Sequence, residues 1–371
     1  FDSIDLLRGL VMVIMVLDHT RDYVYVGSFG IDPTDLATTT TPLFLTRWIT
    51  HFCAPVFVFL AGVSAYLQTM RGKPTGELSR FLVTRGVWLI VLEFTVVRTG
   101  ALFNLDYTFL GVVQVIWVIG VSMIVLAGLV HLPTWVVAVF GIAVIACHNL
   151  LDGIHVQGWQ GPGSPLPDVW AKLWIVLHQS GELFPLYGDS GPVVAVIYPL
   201  VPWIGVMAAG YAFGAVYEVD PARRRRLLYQ WGGSLTLAFL VLRAMNVYGD
   251  PRPWAIQPTL TFTVLSFISV TKYPVSLLFL LMTIGPALVA LAWLDSRERG
   301  PAGHALVVLG RVPLFFYLLQ WPVAHAVALA LGYAAGQPTG HFFLNPPALF
   351  TPEPGAGFGL PVVYACWLAA I

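Results

Sequence analysis

The sequence predicts an all-α, polytopic integral membrane protein, a bundle of about ten transmembrane helices in a single domain that covers residues 1–371. Two observations predict this class. Of the 371 residues, 57% are hydrophobic and 10% are charged, whereas an ordinary soluble domain has about 25% charged residues. Apolar runs of about 20 residues, the length that spans a bilayer, also recur along the whole chain. The lipid bilayer is therefore the first expected partner.

The candidate spans are the apolar runs of sufficient length, namely residues 5–27, 44–69, 82–103, 107–130, 133–150, 193–217, 227–247, 275–294, 305–334 and 359 onward. Residues 258–272 are apolar but too short to span the bilayer. They predict a short re-entrant or interfacial segment that ends at Lys272. The chain starts at Phe1 and stops at Ile371 inside an apolar run, so we expect both ends to be trimmed.

The distribution of basic residues predicts the orientation, because cytoplasmic loops are enriched in Lys and Arg. These residues concentrate in the loops after the second, sixth and eighth spans, with four consecutive arginines at 223–226 and the pair Arg297 and Arg299. Arg8 belongs to the same side of the membrane. We therefore expect the N-terminus and these loops to be cytoplasmic.

Several kinds of site are not expected. The formal net charge is zero, so the chain has no basic signature for nucleic acid. The three cysteines have neither metal-ligand spacing nor a disulfide framework. The nine histidines lack the His-x-x-His and HExxH spacings of zinc sites, so no metal site is expected.

The first span carries the most informative pattern, because the cluster D-H-T-R-D at 18–22 interrupts its apolar sequence. Arg8 and His19 are eleven positions apart and differ by only about 20° around a helix. A charged side chain at bilayer depth costs about 2.5 kcal/mol or more, so such groups face a bundle interior or a water-filled cavity. The stripe therefore predicts a polar site inside the protein.

Each ionisable residue of the first span has a functional and a structural interpretation. Arg8 is a candidate cation for a phosphate-bearing donor, or a snorkelling arginine that sets topology. His19 is a candidate for proton transfer, or a histidine hydrogen-bonded for packing. Asp22, at i+3, is able to orient His19, whereas Asp18 is expected to pair with another helix. Arg21 completes the cluster as a candidate substrate ligand.

Four other segments supply candidates. His51 lies near the predicted depth of His19 and binds an acceptor or makes a structural polar contact. Glu93 and Arg98 share the third predicted span. An ionisable residue inside a membrane span is first interpreted as a site residue; the alternative is that the two form a buried pair that fixes helix register. Arg311 begins the ninth span as a second phosphate cation or a topology signal. Lys272 is a further candidate to bind substrate.

Five sequence blocks carry a resemblance that runs through almost the whole chain. They are S-I-D-L-L-R-G-L-V-M-V-I-M-V-L-D-H-T-R-D-Y, H-F-C-A-P-V-F-V-F-L-A-G-V-S-A-Y-L, Y-P-L-V-P-W-I-G-V-M-A-A-G-Y-A-F-G, V-T-K-Y-P-V-S-L-L-F-L-L-M-T-I-G-P and L-G-R-V-P-L-F-F-Y-L-L. Together they resemble the bacterial branch of the heparan-α-glucosaminide N-acetyltransferase family. More distantly, Arg8 with ten residues before His19 is similar to the R-x10-H signature of the acyltransferase family 3 membrane O-acyltransferases.

The resemblance implies transfer of an acyl group, usually acetyl, from cytoplasmic acyl-CoA to a sugar hydroxyl or amine across the membrane. It implies a bacterial inner membrane, a sugar or glycan partner and acyl-CoA as co-substrate. The resemblance also implies that His19 is the catalytic base or acyl carrier and that Arg8 contacts the CoA phosphates. The sequence departs from relatives at residues 27–47, which lack the catalytic histidine of the lysosomal enzyme, and at Gln320, where many relatives have histidine.

A transporter or flippase for a polar or glycolipid solute is the rival class. Such proteins also need intramembrane acids, bases and broken helices. The polar segments show no inverted repeat, which counts against this class. The residues leave open the acceptor, the acyl chain length and whether a homodimer forms.

Overall fold

The computed structural model describes residues 1–27, 30–296, 300–346, 349 and 355–371. Arg297 and Arg299, used above to predict orientation, lie outside these residues. The helices in the described part are α1 Asp2–Val24, α2 Thr41–Ile49, α3 Cys53–Met70, α4 Thr75–Leu92, α5 Arg98–Leu102, α6 Val115–Leu129, α7 Thr134–Cys147, α8 Val169–Leu177, α9 Leu200–Phe213, α10 Pro221–Met245, α11 Leu260–Ile268, α12 Leu277–Leu294, α13 Pro301–Arg311, α14 Pro313–Ala334 and α15 Leu360–Ala370. The strands are β1 Phe109–Val113, β2 Glu182–Pro185 and β3 Val193–Val196.

Five helical runs among the described residues are long and apolar enough to cross a membrane. They are Thr41–Met70, Thr134–Leu151, Leu200–Glu218, Leu277–Leu294 and Pro313–Ala334. The helices are consistent with the predicted class of helical membrane protein, whereas the predicted number of ten spans is not confirmed. The helix α1 carries ionisable side chains along its 23 residues, and α6 has only 15 residues, so neither is a simple apolar span.

Two predicted spans are wrong at their N-terminal ends, because the residues there form strands of a small sheet. The segment predicted as a span over 107–130 starts with β1, and the segment over 193–217 starts with β3. β1 pairs in parallel with β3, and β2 pairs antiparallel with β3. A short apolar run has the same hydrophobic pattern in a buried strand and in a buried helix, so only the long-range pairing distinguishes them.

The predicted span over 305–334 is two helices, α13 and α14, that meet at Val312. Pro313 begins α14; proline lacks a backbone N–H and clashes with the preceding turn, so a continuous helix is broken there. The segment predicted over 258–272 contains α11, which has nine residues and is too short to span. Its re-entrant or interfacial placement stays a prediction.

The helix α1 lies at the centre of the described bundle, in contact with α3, α12, α13, α14 and α15. Its approach to α13 is close because glycines face backbone on both sides: a Cβ at Gly310 would lie 1.8 Å from the carbonyl oxygen of Asp5, and a Cβ at Gly9 would lie 1.9 Å from that of Leu306. This packing directs the ionisable side chains of α1 into the protein.

Candidate functional site

Two cavities of similar size lie inside the bundle. The first, of about 400 Å³, is here called the histidine cavity, and its walls include Asp18, His19, Arg21, Asp22, Arg47, His51, Lys272 and Trp321. The second, of about 430 Å³, is called the arginine cavity, and its walls include Arg8, Ser64, Gln68, Arg85 and Arg311. Both volumes lie in the range of small-molecule sites.

The two cavities share one wall. Met15, Phe57, Val115 and Tyr317 line both of them. On α1, Met15 is one turn before His19, so the two side chains lie on the same face. The cavities therefore adjoin in the bundle interior, immediately beside His19.

His19 is held by aromatic contacts from α14. Its ring centroid lies 3.9 Å from the ring of Trp321 and 6.3 Å from that of Tyr317. Its buried Nδ1 has no hydrogen-bond partner among the described residues. That Asp22 orients His19 stays a prediction.

Arg21 binds both neighbouring carboxylates. Its guanidinium group pairs with Asp22 and, at 3.0 Å, with Asp18. Asp18 also pairs with Arg47 on α2, which confirms that it contacts another helix. Asp18 Oδ2 accepts a charge-assisted hydrogen bond from Arg47, whereas Oδ1 makes only the ion pair with Arg21, and this network joins α1 to α2 at the histidine cavity.

His51 and Lys272 add a second imidazole and a further cation to the histidine cavity. His51 lies in a 3-10 turn, Thr50–Phe52, and its buried Nδ1 lacks a partner in the described chain. The Lys272 side chain is buried, and its ammonium group makes no ion pair with any described residue. Across the described ranges, no group of three His, Cys, Asp or Glu side chains is arranged to hold a metal ion.

The arginine cavity is organised by Arg8. Its guanidinium group donates to Asp5 at 3.0 Å, to the carbonyl oxygen of Gly310 at 3.2 Å and to the hydroxyl of Ser64 at 2.9 Å. Arg311 pairs with Asp2 at 3.1 Å and remains 59% exposed. Together with Arg85 in the same walls, these guanidinium groups provide the kind of donors that bind phosphate oxygens.

Glu93 and Arg98 are absent from the described walls of both cavities. Glu93 lies at the start of a π-helical segment, Glu93–Val97, and accepts a 3.1 Å hydrogen bond from the backbone N–H of Trp117. It thereby caps the N-terminus of α6, where its side-chain oxygen satisfies a backbone N–H that has no partner within the helix. Arg98 donates to the carbonyl oxygen of Phe109 at 3.1 Å and to Asn104 at 2.9 Å. Both residues make structural contacts here, and a role in substrate binding stays a prediction.

The comparison with known families agrees with this geometry. Residues 1–248 of the 371 match the family model described as heparan-alpha-glucosaminide N-acetyltransferase, catalytic.

The chain belongs to this family. The match covers α1 to α10, and with them Arg8 and His19, and it ends before Lys272 and Arg311. A search of curated proteins found no match. Membership in the heparan-alpha-glucosaminide N-acetyltransferase family supports a transferase that acetylates carbohydrate, and the apolar helices fit a membrane protein.

The sequence alone did not identify the contribution of α14 to the histidine cavity. Tyr317 and Trp321 are four residues apart and therefore lie on one helix face, but the sequence does not indicate that this face packs against His19. Arg85 was not among the candidate site residues, although it lines the arginine cavity. Each of these placements depends on helix packing between distant segments.

Proposed function

We propose that the protein transfers an acetyl group from acetyl-CoA to a sugar hydroxyl or amine, with the donor in the arginine cavity and the acceptor in the histidine cavity. The observation that carries this proposal is the wall common to both cavities, formed by Met15, Phe57, Val115 and Tyr317. Two substrates that enter from opposite sides would meet beside His19. The family match supports the acetyltransferase class.

The donor assignment rests on charge. Coenzyme A carries its phosphates at one end and the acyl thioester at the other. Arg8, Arg85 and Arg311 supply guanidinium groups for the phosphates, and the thioester would extend toward the shared wall. In this proposal the arginine cavity opens to the cytoplasm of a bacterial inner membrane, as the basic loops predict.

The acceptor assignment rests on His19. A hydroxyl or amine that attacks a thioester needs a base with a pKa near neutrality, and histidine is the usual side chain for this role. Asp18 pairs with both Arg21 and Arg47, so this network holds the wall of the histidine cavity in place while His19 takes the proton. A covalent acyl-His19 is the variant route.

A purified-protein assay tests this proposal. Binding of radiolabelled acetyl-CoA and release of CoA thiol, with a panel of amino sugars as acceptors, are compared for wild type, Arg8→Ala and His19→Ala. Loss of charge-assisted hydrogen bonds in Arg8→Ala should weaken acetyl-CoA binding about 10- to 100-fold. His19→Ala should keep binding and lose about 10²- to 10⁴-fold in turnover. Arg80→Ala and His131→Ala are matched controls, because both residues are exposed and line neither cavity.

Two outcomes contradict the proposal. Wild-type turnover in His19→Ala would exclude His19 as base or carrier. A wild-type protein that neither binds nor consumes acetyl-CoA would favour the transporter class, which counterflow of labelled amino sugar in proteoliposomes without acyl-CoA would then detect.

A further inference from the structure

Tyr317 carries a buried hydroxyl group that the fold leaves unpaired. The residue is 5% exposed, and its Oη has no hydrogen-bond partner among the described residues. More than about nine in ten buried polar groups in proteins do have a partner. An unpaired hydroxyl disfavours folding, so its presence at this position calls for a functional explanation.

The indole N–H of Trp321, one turn further along α14, is unpaired in the same way. Trp321 lines the histidine cavity, and its ring centroid lies 6.4 Å from that of Tyr317. An indole nitrogen is a donor only, so it cannot accept the phenol hydrogen of Tyr317; its N–H lies near the phenol oxygen without forming a hydrogen bond of good geometry. The phenol hydrogen of Tyr317 therefore has no acceptor among the described residues, and the indole N–H lies beside it on the same helix face.

Both donors lie where the proposed reaction needs them. Tyr317 belongs to the wall shared by the two cavities, and both rings contact His19, at 3.9 Å for Trp321 and 6.3 Å for Tyr317. A thioester that reaches the shared wall from the arginine cavity would place its carbonyl group next to these donors, on the side from which the acceptor approaches.

On the basis of the proposed function, we propose that the Tyr317 hydroxyl, together with the indole N–H of Trp321, forms the oxyanion site for the thioester carbonyl. The acceptor oxygen or nitrogen forms a bond to the carbonyl carbon while His19 takes its proton. The carbonyl π electrons move to oxygen, where the two donors bind the negative charge. The oxygen then re-forms the double bond, the C–S bond breaks, and the CoA thiolate leaves and takes the proton from the His19 imidazolium.

The size of the expected effect follows from other oxyanion sites. Removing one donor typically lowers kcat about 10²- to 10³-fold. Because the interaction strengthens only as charge develops, KM for acetyl-CoA should change little. Tyr317→Phe keeps the ring and removes only an unpaired group, so its thermal stability should equal or exceed that of the wild type.

The experiment compares kcat, KM and melting temperature of the full chain for wild type, Tyr317→Phe, Trp321→Phe and the control Tyr248→Phe. The Tyr248 hydroxyl donates to the carbonyl oxygen of Ala146 at 2.6 Å and lies in neither cavity. The control should therefore lose stability and keep its activity, the reverse of Tyr317→Phe. Tyr317→Phe with a kcat within about threefold of the wild type would overturn the assignment.

A spectroscopic measurement separates the oxyanion site from a structural role. The non-hydrolysable ketone analogue acetyl-dethia-CoA, labelled with ¹³C at the carbonyl, should show a lowered carbonyl stretching frequency when bound to wild type. The frequency should return toward its solution value in Tyr317→Phe. An unchanged shift in that variant overturns the oxyanion site alone, whereas a wild type that does not consume acetyl-CoA overturns the proposed function and this assignment together.

Discussion

The ion network around Asp18 gives a prediction whose size follows from burial. The Asp18 carboxylate lies between Arg47 and Arg21, and the exposed fractions of these three side chains are 12%, 12% and 5%. Asp18→Asn keeps the shape and removes the charge, which leaves the buried Arg47 guanidinium group without the carboxylate it pairs with, whereas Arg21 keeps Asp22. Breaking a buried pair in this way costs about 3–5 kcal/mol, so we expect the unfolding free energy of Asp18→Asn to be lower than that of the wild type by this amount.

A double-mutant cycle with Asp18→Asn and Arg47→Met isolates the pair. Because Arg21 also binds Asp18 at 3.0 Å, the coupling energy should be about 2–3 kcal/mol rather than the full cost. The control cycle uses Asp2 and Arg311, whose side chains are 27% and 59% exposed, and should give at most about 1 kcal/mol.

The assay is equilibrium unfolding in mixed micelles, with increasing amounts of a denaturing detergent, for the four proteins of each cycle. A coupling energy at Asp18 no larger than that at Asp2 would refute the reasoning. It would mean that water or relaxation screens the Asp18 network, and that this network does not fix α1 against α2 at the histidine cavity.

Two further predictions concern helix packing and capping. Gly310→Ala places a Cβ 1.8 Å from the carbonyl oxygen of Asp5, so overpacking should lower the unfolding free energy by about 1–3 kcal/mol or more in the same assay. The control Gly233→Ala has open space around the new Cβ and should raise the unfolding free energy by up to about 1 kcal/mol. Equal effects of the two substitutions would contradict the packing of α1 on α13. Glu93→Ala removes the side-chain oxygen that accepts from the Trp117 N–H at the start of α6 and should lower stability by about 1–2 kcal/mol, while turnover by the folded protein persists. Loss of turnover at unchanged stability would instead support Glu93 as a site residue.

The membrane class and the position of the candidate site on α1 were predictable from local information. An arginine and a histidine on one face of an apolar helix must face the protein interior, and the structure has both residues in cavity walls. The strands β1 and β3 were not predictable in this way. Their short apolar sequences fit a helix equally well, and their pairing joins segments about 80 residues apart in the chain.

The details of the candidate site depend on which neighbours pair with one another. Helical spacing alone puts Asp22 within reach of His19, but it does not show that the Arg21 guanidinium group pairs with both Asp18 and Asp22. The role of Tyr317 required the packing of α14 against α1, which no local sequence pattern encodes.

The most direct test of the two-cavity account is a cryo-electron microscopy structure of the full chain with acetyl-dethia-CoA bound. The account predicts the CoA phosphates beside Arg8 and Arg311, and the carbonyl oxygen at the wall shared by the two cavities, within hydrogen-bond distance of Tyr317. Phosphates in the histidine cavity, or a ligand on the outer surface of the bundle, would contradict the account.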